Sequence, residues 1–113
     1  MKNLIVVLFL AGLTWGQPAM STTHDIQLGC EARARVLHTT DPSSDDLNRA
    51  NFTLGFIQGF VDATIAAGPN FDFPDSMDAT TDAVCKYIDQ HPEIWKLDRM
   101  RGMASTVMAL YKR

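Results

Sequence analysis

The sequence predicts an all-α fold: a small four-helix domain with a long central helix, preceded by a cleaved signal peptide. Three observations carry this expectation. Turn signals at Asp41-Pro42-Ser43-Ser44, Gly68-Pro69-Asn70, Phe73-Pro74-Asp75-Ser76 and His91-Pro92 divide the chain into four segments. Each segment spaces its apolar residues three and four apart rather than in alternation. The chain also opens on Met1-Lys2-Asn3, continues through ten unbroken apolar residues, Leu4 to Leu13, and reaches small residues at Gly16, Ala19 and Ser21. A charged start, a short apolar core and small residues describe a secretory leader. Ten apolar residues are too few to cross a bilayer, which takes about 20.

The cut is expected between Gly16 and Ser21, which divides the chain into a signal peptide, 1–20, and one helical domain, 21–113. Losing Lys2 leaves nine basic against thirteen acidic side chains, a net charge of −4. With that balance and no run of Lys or Arg, nucleic acid is not an expected partner. No stable membrane association is expected once the leader is gone. A domain this small buries only about 60–65% of its unfolded surface, so a covalent constraint would help it. Cys30 and Cys85 are the only two cysteines. In an exported chain their default state is a disulfide, and their spacing is not that of a metal site. No metal, no cofactor and no enzymatic activity are expected. His24, His38 and His91 are scattered, and no Ser/His/Asp or Cys/His arrangement is assignable.

The first helix is expected from about His24 to Leu37, with Ile26, Cys30, Ala34 and Leu37 on its buried face and Glu31, Arg33 and Arg35 solvated. The second begins near Asp45, capped by Ser43 or Ser44, and stops at Gly68-Pro69. Two apolar stripes run along it: Leu47, Ala50, Leu54, Ile57, Val61 and Ile65, and nearly opposite, Phe52, Phe56, Phe60, Ala63 and Ala67. A helix apolar on two sides is either central in its domain or shared with a subunit interface. Between the stripes lies a third strip containing Gly55, Gln58, Gly59 and Asp62. Each glycine weakens a helix by about 1 kcal/mol relative to Ala. Close backbone approach of another helix would offset that cost. The strip is therefore a homodimer or helix-packing contact, or else an intramolecular crossing.

The third helix is expected from about Asp78, taken as its cap, to Gln90, burying Ala83, Val84, Tyr87 and Ile88. The fourth starts at Asp98 and carries Met100, Met103, Ala104, Val107, Leu110 and Tyr111 on one stripe. Two connecting segments hold exposed-type aromatics. One is Gly68 to Met77, with Phe71, Asp72, Phe73 and Asp75; the other is His91 to Leu97, with Glu93 and Trp95. Each is a binding loop or a lid folded over the core.

Gly55-Phe56-Ile57-Gln58-Gly59-Phe60-Val61-Asp62-Ala63, followed by Lys86-Tyr87-Ile88-Asp89-Gln90-His91-Pro92-Glu93, resembles the Rap/Tai immunity proteins of type VI secretion systems. The likeness spans essentially the whole mature chain. Members often carry cysteines where this chain has Thr53 and Phe73, and Cys85 is extra, so their disulfide pattern does not transfer. The resemblance implies a periplasmic homodimer that binds and inhibits a peptidoglycan amidase effector and does no chemistry itself. Cleft-covering would then fall to Phe71, Asp72, Phe73 and Asp75 or to Glu93 and Trp95, an aromatic anchor with an acidic rim in either case. Trp95 is the stronger anchor by residue type and equally fits a core plug. The rival expectation is a small periplasmic acid-stress chaperone, a helical family with one disulfide between its first and penultimate helices.

Overall fold

The structure, a computed structural model, describes residues 21–113. The expected signal peptide, residues 1–20, lies outside the described residues. Four helices follow: α1 (Thr23–Leu37), α2 (Ser44–Ala67), α3 (Met77–Gln90) and α4 (Arg99–Tyr111), with a 3-10 turn at Pro92–Ile94 between the last two. The domain is all-α, and the described residues contain only two isolated β-bridges and no strand. None of the described helices is long and apolar enough to cross a membrane.

Every helix starts on a side-chain cap, which is why the boundaries fall where they do. Thr22 and Asp25 form a reciprocal capping box at α1. Ser43 accepts from Asp46 N at α2, and Asp98 accepts from Arg101 N at α4. At α3 the cap is Ser76, which accepts from Ala79 N, and not Asp78 as the sequence suggested. Asp78 lies in the first turn instead, where its charge complements the helix dipole. Helix α2 ends on Gly68 at φ 147°, a conformation that excludes most side chains.

Helix α1 packs along α2 and also touches α3, the 3-10 turn and α4, so it is the hub of the domain. The core around it comprises Ile26, Cys30, Ile57, Val61, Val84, Ile88, Ile94, Met103 and Val107. Glycine permits the two closest crossings. A Cβ at Gly29 would fall inside the Thr53 side chain of α2, and one at Gly102 inside Thr23, so α1 approaches both neighbours at backbone range. The Thr23 hydroxyl donates to the Leu97 and Asp98 carbonyls, which fastens the start of α1 to the start of α4. Buried Thr80, Thr81 and Thr106 return their hydroxyls to the carbonyl four residues back, whereas Thr53 Oγ1 is buried without a partner.

The Cys30–Cys85 disulfide joins α1 to α3 with the Cα atoms 5.6 Å apart, as the cysteine count led one to expect.

Several assigned core positions move outward. Ala34 is exposed and Leu37 is 62% exposed; Gly29 and Ala32 take the buried face instead. On α2 the buried line is Ala50, Thr53, Ile57 and Val61, so Leu47 and Ile65 stay exposed. On α4, Met100 and Leu110 are exposed while Met103 and Val107 are buried.

Candidate binding surfaces

The segment from Gly68 to Ser76 is braced by the C-terminus. Asp72 N donates to the Tyr111 carbonyl at 2.8 Å, and Arg113 N donates to the Asn70 carbonyl at 3.0 Å. These bonds surround an antiparallel bridge between Phe71 and Lys112. The Arg113 guanidinium caps the clip, donating to the Asp72 carboxylate at 2.8 Å through Nε. Phe71 stacks on Phe73 at 6.0 Å, and Phe73 meets the Tyr111 ring at 5.0 Å. Both phenylalanines are half-buried, while Asp72, Pro74 and Asp75 are exposed. Burial raises the Tyr111 hydroxyl above the ordinary tyrosine range, with a Thr80 hydrogen bond acting against it. The result is an ordered aromatic stack with acids at its edge, held at two chain positions far apart in sequence.

The segment from Pro92 to Leu97 is fastened inward. Pro92 opens the 3-10 turn, where its missing N–H costs nothing. The Trp95 indole N–H donates to the Ile88 carbonyl at 2.7 Å, and its ring stacks on His24 at 4.9 Å. Backbone bonds from His24 N to Trp95 O and from Thr23 N to Leu97 O tie the segment to the first turn of α1. Trp95 is half-buried against the core, while Glu93 is exposed beside it. This placement makes Trp95 a fastener of the fold. Helix α4 separates the two segments: Leu97 lies before its start and Phe71 beside its end, about 20 Å apart along thirteen residues.

Gly55 and Gly59 do not serve an intramolecular crossing. A Cβ at either position meets nothing within 4 Å. Both line an apolar groove of about 630 Å³ between α2 and α4, whose walls include Phe56, Phe60, Met100 and Met108. The Arg99 guanidinium stands 5.5 Å from the Phe56 ring centre at one end. Gln58 and Asp62 do not line the groove; Gln58 is half-buried and Asp62 exposed on the flank of the glycine pair. The structure therefore brings Gly55 and Gly59 together and leaves the two polar members of the strip outside. The α4 wall escaped the sequence reading. Its signal was present: α4 carries more apolar residues than one buried stripe uses, and Met100 and Met108 are the surplus.

As for chemistry, both cysteines are consumed by the disulfide, and the described residues hold no cluster of three or more His, Cys, Asp or Glu able to grip a metal. His24 is stacked on Trp95, and His91 is stacked on Tyr87 with Nδ1 2.6 Å from the Tyr87 carbonyl. Comparison with protein-family models, curated proteins and solved structures finds no match to the chain.

Proposed function

We propose that this protein is a periplasmic immunity protein that binds and blocks a peptidoglycan amidase effector of a type VI secretion system. The observation that supports the reading best is the clip at Phe71–Asp75. It presents a half-buried aromatic pair with exposed Asp72 and Asp75, already held in place by the C-terminus. A surface ordered before binding loses little entropy on docking. Asp75 at its edge, with the Asp72 charge already met by Arg113, would steer encounter with a basic enzyme face. The inward fastening of Trp95 favours this clip over the Pro92–Leu97 segment as the inhibitory element. The disulfide is compatible with an oxidising compartment, which suits an exported protein.

Self-association belongs to the same proposal. Gly55 and Gly59 meet no side chain of their own chain, and Met100 and Met108 beside them are 53% and 48% exposed. Phe52, one helical turn before Gly55, is 46% exposed. A second copy laid along α2 would bury these groups and use the close approach that the glycines permit.

One observation favours a second reading. The disulfide joins the first helix to the penultimate one, the connection expected of a small acid-stress chaperone. The two readings part on pH. An inhibitor acts on one tight partner at neutral pH, whereas a chaperone holds many unfolded clients near pH 2–3 and not at pH 7. Titrating residues 21–113 into a peptidoglycan amidase digest at pH 7, and into an acid-aggregation assay, separates them.

A further inference from the structure

No further inference is drawn: the strongest candidate, the open apolar groove between α2 and α4, belongs to the site already described and is taken up by the self-association proposed there.

Discussion

Among the described residues four glycines lie inside helices, and the structure gives them opposite roles that a single alanine scan can read. At Gly55 and Gly59 an added methyl meets open space. Alanine there should gain only the helix-propensity difference, about 1 kcal/mol at each site. At Gly29 and Gly102 the new Cβ would overlap Thr53 and Thr23, β-branched side chains that are 0% exposed and cannot swing away. Overpacking of this kind costs about 1–3 kcal/mol, and the upper end applies because both helices must separate. Net of the propensity gain, Gly29→Ala and Gly102→Ala should each lose about 2 kcal/mol. For a domain of this size 1 kcal/mol moves the melting temperature by about 4–8 °C. The assay is thermal unfolding by circular dichroism of residues 21–113, disulfide intact, at a concentration where the chain sediments as a monomer. Gly55→Ala and Gly59→Ala should melt higher, and Gly29→Ala and Gly102→Ala lower by about 10 °C. Adding Thr53→Ala to Gly29→Ala should recover part of the loss, since it removes the overlapping hydroxyl and methyl. Equal shifts of one sign at all four sites would refute the packing of α1 described above.

Further expectations follow from the disulfide, the groove, the clip and one ion pair. Removing the Cys30–Cys85 bond frees a 55-residue loop in the unfolded chain, and the entropy so restored should cost about 4 kcal/mol of stability; titration of two free thiols in protein taken from the periplasm would contradict the bond itself. Gly59→Leu should abolish a dimer seen by sedimentation at micromolar concentration while leaving the monomer folded; a wild-type chain that is already monomeric there ends the self-association proposal. Phe71→Ala or Phe73→Ala should weaken amidase binding by about 2 kcal/mol or more, whereas Trp95→Ala should cost about 3 kcal/mol of folding, the low end for a half-buried ring, and leave inhibition by the folded fraction intact. Loss of inhibition by Trp95→Ala at an unchanged melting temperature would move the inhibitory element to the other end of α4. The Arg35 hydrogen bond holds the Asp46 carboxyl below the usual carboxylate range. A depressed folded-state pKa means that this contribution is present above about pH 4 and lost as pH falls below it. Asp46→Asn should therefore flatten the acid limb of stability, and an unchanged limb would show that the pair is not felt in solution.

The helices were legible because each is bracketed by a residue with one job. Ser43, Gly68 and Pro92 punctuate the chain, and the apolar spacing between them is 3.6 rather than 2. The face of each helix was harder to read. Leu37, Leu47 and Ile65 look like core residues, yet five threonines and Gln27 occupy the interior in their place. Threonine reads as polar in a pattern, but inside a helix its hydroxyl can bond the carbonyl four residues back, leaving its methyl to pack. The glycines misled for a related reason. Periodicity showed that Gly55 and Gly59 share a face, but not that the intramolecular close approach falls at Gly29 and Gly102. That depends on which helix crosses which, a tertiary fact. The anchoring of Trp95 to the Ile88 carbonyl is equally tertiary, since the turn at Pro92 decides whether the ring points in or out. The paired cysteines needed no such information.

The proposal of an immunity protein is tested most directly by one titration. Tagged residues 21–113 are expressed in the periplasm of a producing cell, the captured peptidoglycan hydrolase is purified, and its release of muropeptides from purified cell wall is followed at pH 7 with increasing inhibitor. Activity should fall to zero at one binding site per enzyme, and Phe73→Ala should shift the curve to higher concentration. A hydrolase that stays fully active at a tenfold excess, with protection of mixed periplasmic proteins appearing only near pH 2–3, would contradict the reading and establish the chaperone in its place.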